Sequence, residues 1–191
     1  MSCATKRDAM LAERRTGRPH ELFDGVLYEK PRDAIRGHVV LELVFAIMRY
    51  LEEHDLGFCV ESRATYAFGR GLVVSPDLSF VAWERTANRR VPLDPIPNLV
   101  PSLAVDVLGL SSTPEVIARR HAAYFEHDVR LAWIIDPRKV KADIYTAPDG
   151  KTTIDASGVL EGGAVLPGFQ VPLAKLVEQL TAPAKKPRKK K

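Results

Sequence analysis

Two almost unbroken apolar runs, LAVDV at residues 103–107 and LAWIID at residues 131–136, constrain this chain more than any other feature. Runs of that length have strand dimensions, and strands apolar on both sides belong inside a sheet covered on both faces. Between them Thr113-Pro114-Glu115 opens a helix that the pattern carries to about Glu126. Threonine caps the first free N–H groups, proline sits where no N–H is needed, and an acid in the first turn meets the positive end of the helix dipole. A strand, a helix and a strand in succession predict a sheet with helices packed against it.

The remaining segments fit around this unit. Residues 4–15 read as a short charged helix stopped by Gly17 and Pro19, and Glu21 to Lys30 as a hairpin turning at Asp24-Gly25. From Arg36 to His54 the residues Val39, Leu43, Ala46, Ile47, Tyr50 and Leu51 recur at helical spacing, with Gly57 as the expected stop. Segments 58–68, 72–75 and 78–83 read as strands, with Gly69 and Gly71 punctuating a second hairpin. Pro92, Pro95, Pro97 and Pro101 remove so many backbone donors that residues 85–101 are expected as a loop. Val140 to Tyr145 returns as a strand after Asp136-Pro137, and a weak hairpin passes through Gly150. The LPGF turn then leads into a last helix from Leu173 to Leu180. No internal repeat is present. The order predicts an α/β or α+β fold, a single layer of mixed sheet flanked by helices.

A length of 191 residues suits one domain, and 46% apolar with 27% charged residues excludes disordered and fibrous classes. Cys3 and Cys59 match no zinc or redox spacing, which points to a reducing compartment. No run of eighteen apolar residues and no signal-peptide stretch is found, so the expected location is cytoplasmic, away from membranes. The net charge of +4 divides unevenly: residues 182–191 carry six basic groups, residues 1–19 a net +3, and residues 20–181 a net −5. The expected organisation is a charged N-terminal extension over 1–19, a folded domain over 20–181 and a basic tail over 182–191. Such a tail is either a solvated end or an arm that binds polyanions without sequence preference.

Asp77, in VVSPDLSFV, and Asp106, in LAVDVLGL, stand within apolar strand sequence. A carboxylate there loses hydration and needs a donor, a cation or a metal. Placed at one sheet edge, the two acids would suffice for a hard divalent cation, which takes one or two carboxylates along with water and phosphate oxygens. The alternative is that Asp106 faces outward and Asp77 caps the turn after Pro76.

The ordered run of ELFDGVLYEKP, His38 opening the long helix, SPDLSFV, LAVDVLGLSST, Tyr124 ahead of HDVRLAWIIDP, and VLPGF resembles the Uma-type putative restriction endonuclease family of the PD-(D/E)XK nuclease superfamily, over about residues 20–180. The resemblance implies a restriction-endonuclease-like core with flanking helices. It also implies metal-dependent endonuclease hydrolysis of DNA phosphodiester bonds, with Mg²⁺ (or Mn²⁺) held by Asp77 and Asp106. Glu21 would add a further carboxylate, and His38 would contact the metal, a water or a phosphate. DNA is the implied partner, and a homodimer is compatible with it. Read from the residues alone, Glu21 is an exposed hairpin acid, His38 a helix-entrance histidine bonded to backbone, and Arg120 a solvated helix arginine.

Three positions depart from the family pattern. Asp106-Val107-Leu108-Gly109 stands where the family has Glu-Val-x-Ser, Leu108 occupies the superfamily's lysine position, and Arg120 replaces a lysine four residues before Tyr124. Arginine can act as an electrophile toward phosphate, but its planar fork does not reproduce a point-charge ammonium. The resemblance therefore also admits a catalytically degenerate nuclease-fold protein acting as a nucleic-acid-binding or regulatory module. His121 neighbours Arg120 but is offset by roughly 100° around the helix. Tyr124 and Trp133 are expected to pack behind the site.

Overall fold

The structure of the chain, a computed structural model, describes residues 3–31, 33–110 and 112–181; the basic segment 182–191 lies outside them. In chain order the first half comprises α1 (Lys6–Thr16), β1 (His20–Phe23), β2 (Val26–Glu29), α2 (Ala34–Glu53), β3 (Gly57–Glu61), β4 (Tyr66–Gly69), β5 (Leu72–Val74) and β6 (Leu78–Ala82). The second half comprises β7 (Leu103–Val107), α3 (Pro114–Glu126), β8 (Leu131–Asp136), β9 (Lys141–Tyr145), β10 (Lys151–Ile154), β11 (Val159–Glu161), β12 (Gln170–Pro172) and α4 (Leu173–Thr181).

The two apolar runs become β7 and β8, paired in parallel and joined through α3 at the centre of a six-stranded mixed sheet of order β10-β9-β8-β7-β6-β3. Side chains alternate across such a sheet. Leu103, Val105 and Val107 of β7 with Leu131, Trp133 and Ile135 of β8 join Val39, Val40, Leu43 and Ile47 of α2 and Leu173, Leu176 and Val177 of α4 in the main core. Ala104 and Ala132 face the other way, into a second core with Ala123 and Tyr124 of α3 and with Phe23, Tyr66, Phe68 and Val74. That opposite layer is a separate antiparallel sheet of order β2-β1-β5-β4.

The chain is thus α+β, with more layers than one mixed sheet. The hairpin strands split off because β1, β4 and β5 are buried on both sides: Leu22, Ala67 and Val73 pack with Ala9 of α1 and Ile96. Helix α1, expected as an extension, is therefore docked, with Ala9 and Ala12 buried and the Ala4 N–H donating to the Gly25 carbonyl. The Asp24-Gly25 turn has the expected left-handed pair, with φ of 50° and 77°. Gly57 is a correction: α2 ends at His54 in extended backbone, and Gly57 begins β3 where an added Cβ would meet the Val81 carbonyl and the Phe80 ring. The short ribbon β11–β12 was not expected, since three-residue strands carry too little alternation to read. No helix among the described residues is long and apolar enough to cross a membrane.

Candidate functional site

Among the described residues six Asp, Glu, Lys or Arg side chains are buried, namely Glu21, Lys30, Arg36, Asp77, Asp106 and Arg120. All six meet in one cluster, which Arg36 reaches from α2 on the other face of the six-stranded sheet. Leu78 of β6 pairs with Val105 of antiparallel β7, so one further step brings Asp77 opposite Asp106. Asp106 shares the face of Ala104, which turns it away from the α2 core and toward α3. There Arg120 and Tyr124, one helical turn apart, point at it together. From the second sheet Glu21 lies on the side of β1 shared by Phe23, which faces the same layer. Lys30 follows β2, and its N–H donates to the Pro19 carbonyl.

Opposite charges alternate through the cluster. Arg120 donates from Nε (3.0 Å) and Nη2 (2.7 Å) to Glu21 Oε2, and from Nη1 (3.0 Å) to Asp106 Oδ1. The Lys30 ammonium lies 3.8 Å from Asp106 Oδ1 and 3.1 Å from Asp77 Oδ1 while bonding the Ser75 carbonyl. Arg36 Nε stands 3.7 Å from Asp77 Oδ2. Backbone and hydroxyl donors complete the set: Ser75 N–H to Glu21 Oε1 (3.0 Å), Val107 N–H to Asp77 Oδ2 (2.7 Å) and the Tyr124 hydroxyl to Asp106 Oδ2 (2.8 Å). Asp77 Oδ1 alone among these oxygens is buried without accepting a hydrogen bond, its contact with Lys30 being an ion pair only.

Three acidic and three basic side chains balance in number, and this pairing shifts Asp106, Arg120 and Tyr124. Burial by itself raises the Asp106 pKa, but Arg120, Lys30, the Tyr124 hydrogen bond and Arg36 outweigh it and hold the carboxyl below its usual range. Burial disfavours charge on Arg120, yet Glu21 and Asp106 overcome it and push its pKa further up. Tyr124 is raised by burial and by Asp106, which keeps its proton on the oxygen.

Two openings reach the cluster on either side of Arg36. A cavity of about 140 Å³ is walled by Lys30, Pro31, Asp33, Ser62 and Asp77. A cleft of about 310 Å³ runs past Glu21, Tyr28, Arg119 and Arg120. At its edge the Arg119 guanidinium lies 4.5 Å from the Tyr28 ring centre and 5.5 Å from that of Phe23.

Of the residues singled out in the sequence, Glu21, Asp77, Asp106 and Arg120 are brought together. Glu21 is 2% exposed and Arg120 8%, so neither is the solvated surface group that its local sequence suggests. His38 is not brought in. It lies two residues from Arg36, on the far side of α2, and its buried Nε2 has no hydrogen-bond partner. His121 packs against the rings of Phe125 and Tyr145. Trp133 is core, stacked near Phe169, whereas Tyr124 does more than pack because its hydroxyl bonds Asp106.

Sequence reasoning missed Lys30 and Arg36. Arg36 was legible, because it precedes Val39, Val40, Leu43 and Ile47 on the buried stripe of α2, where an unexplained charge marks a partner inside. It donates to the carbonyls of Val107 (3.0 Å) and Pro31 (2.7 Å) and to Ser112 Oγ (3.3 Å). It also accounts for Gly109: a Cβ there would fall 2.8 Å from Arg36 Nη2 and onto the Asp33 carboxylate. Ser112 Oγ accepts the Gly109 N–H at 2.9 Å. Lys30 carried no local signal, since its partners are brought in from β5, β6 and β7.

No group of three or more His, Cys, Asp and Glu residues among those described is arranged to hold a metal ion. The donor set does fit a sparser site. Asp77 Oδ1, without a hydrogen bond, and Asp106 Oδ1 address one common point, and two carboxylates with water and phosphate oxygens satisfy a hard divalent cation.

Residues 8–174 match the family described as Uma2, putative restriction endonuclease. No curated protein matches the chain. Among solved structures the fold is similar to a putative nuclease belonging to DUF820 from Anabaena variabilis ATCC 29413, with a TM-score of 0.76 and 16% identity over 86% of this chain and 93% of that one. At that identity the likeness establishes the fold.

Proposed function

Because this chain belongs to the Uma2 putative restriction endonuclease family, we propose that it is a nuclease hydrolysing DNA phosphodiester bonds, with Mg²⁺ or Mn²⁺ held by Asp77 and Asp106. The observation that carries the proposal is the gathering of every described buried Asp, Glu, Lys and Arg side chain into one cluster, of which Glu21, Arg36 and Arg120 line a cleft together with Arg119. Interacting titratable groups gathered beside a cleft are a hallmark of reaction centres.

When bound, the ion supplies Lewis-acid charge to a phosphate oxygen and acidifies water. The chain's own residues supply the rest. Arg119, half-buried over Tyr28, offers a cation where a phosphate backbone would enter. Arg120 stays charged at all working pH values and locks Glu21 and Asp106 in fixed positions, so it contributes electrostatic preorganisation and no proton. Tyr124 and the Val107 N–H each occupy the Oδ2 of an aspartate, while Asp77 Oδ1, without a hydrogen bond, and Asp106 Oδ1, shared with Arg120, are directed to the same point. The free thiols of Cys3 and Cys59 support a reducing, cytoplasmic setting.

Supercoiled plasmid incubated with purified protein and Mn²⁺ tests the reading. Wild type should nick or linearise it, while Asp77→Asn and Asp106→Asn should leave it intact. Equal cleavage by wild type and both variants would overturn the assignment.

A second reading, a nuclease fold that binds nucleic acid without cutting it, is favoured by one observation. Three guanidinium N–H bonds of Arg120 are committed to Glu21 and Asp106, so the group in the family's lysine position is not turned toward a substrate. Intact plasmid with wild type in either metal, together with retained DNA binding, would select it.

A further inference from the structure

We propose that Lys30 is a tethered cation occupying the point where Asp77 and Asp106 would hold a divalent metal, so that metal binding requires its ammonium to leave. This rests on the reading of the aspartate pair as the metal site. The ammonium lies 3.1 Å from Asp77 Oδ1 and 3.8 Å from Asp106 Oδ1, the same two oxygens that the pair would offer an ion. It is 3% exposed, and among the described residues it donates to the Ser75 carbonyl rather than to either carboxylate. An ammonium is a compact point charge on a flexible stem, which makes it both a fair electrostatic substitute for a metal and a removable one.

A divalent ion and the ammonium cannot both occupy the point between those oxygens, and with Lys30 in place the three acidic and three basic side chains of the cluster are balanced in number. Adding a divalent ion while the ammonium stays would leave two uncompensated charges in a buried site. The way out is visible. The cavity of about 140 Å³ is lined by Lys30 together with Asp33 and Ser62, whose oxygens would receive the ammonium. The cluster is thus balanced without a metal, and a metal enters by exchange with Lys30.

The test uses Mn²⁺ alone, by titration calorimetry on the full chain, with wild type, Lys30→Met and Lys30→Met/Asp77→Asn. Because a unit charge about 4 Å away is strongly felt in a partly buried site, Lys30→Met should bind at least about tenfold tighter than wild type, and the double variant should lose the gain. A second measurement needs no variant: reductive methylation of the wild type read by mass spectrometry. Lys30 should be protected without metal and modified several-fold faster in saturating Mn²⁺. Equal affinity of wild type and Lys30→Met, or unchanged methylation of Lys30 in saturating Mn²⁺, overturns the exchange while leaving the aspartate pair as a metal site. Absence of Mn²⁺ binding by every folded form overturns both.

Discussion

Replacing Arg120 by methionine probes the cluster most sharply, because the side chain keeps much of its length and loses all its charge. Three guanidinium hydrogen bonds disappear, two of them to Glu21 Oε2 and one to Asp106 Oδ1. Two carboxylates that are 2% and 5% exposed then lose their shared counter-charge, with Lys30 3.8 Å from Asp106 as the nearest remaining cation. Removing one partner of a buried pair costs about 3–5 kcal/mol, so the variant should lose roughly 4 kcal/mol at pH 8 in urea denaturation. The pH dependence follows from Asp106. In wild type its folded pKa is depressed, so its contribution is fully present above the unfolded value near about 3.9 and is lost as pH falls through the lower folded value. Without Arg120 the burial effect dominates, the folded pKa rises above the unfolded one, and protonation relieves the variant on acidification. Each unit of upward shift is worth about 1.4 kcal/mol, so the deficit should shrink by roughly 1–2 kcal/mol between pH 8 and pH 5. Arg120→Lys should fall between the two proteins. A loss under about 1 kcal/mol with no pH dependence would refute the assignment of Arg120 as the counter-charge of Glu21 and Asp106.

Two further substitutions follow from the same geometry. Tyr124→Phe removes the donor to Asp106 Oδ2 and should destabilise by about 1–3 kcal/mol in the same denaturation assay, whereas a purely packing role predicts almost no change. Gly109→Ser restores the serine of the family pattern but drives a Cβ into Arg36 Nη2 and the Asp33 carboxylate, so it should cost about 1–3 kcal/mol and lower the melting temperature. A fully stable Gly109→Ser protein would mean that Arg36 yields freely.

Local chemistry was readable wherever a few neighbouring residues decide the outcome. The Thr113-Pro114 start of α3, the Asp24-Gly25 turn and the apolar stripe of α2 all form as expected. What depends on distant partners was not readable. The division into two sheets turns on Leu22 and Val73 having α1 to cover them, and nothing within β1 or β5 announces that helix. The site divides in the same way. Asp77 and Asp106 stood out because acids within apolar strands need partners, and Arg120 and Glu21 through the resemblance to a family. Lys30 did not, because a lysine after a hairpin is ordinarily solvated and only the packing of β5, β6 and β7 around it removes the water. The departures at Asp106 and Arg120 also read differently in place: a shorter acid and a longer cation still meet at 3.0 Å.

The account depends above all on Asp77 and Asp106 forming one divalent-cation site, and manganese anomalous diffraction from wild-type crystals soaked in excess Mn²⁺ tests this most directly. The account predicts a peak bonded to Asp77 Oδ1 and Asp106 Oδ1, at the point from which the Lys30 ammonium has withdrawn. Manganese bound elsewhere, with Lys30 still between the two aspartates, would contradict it.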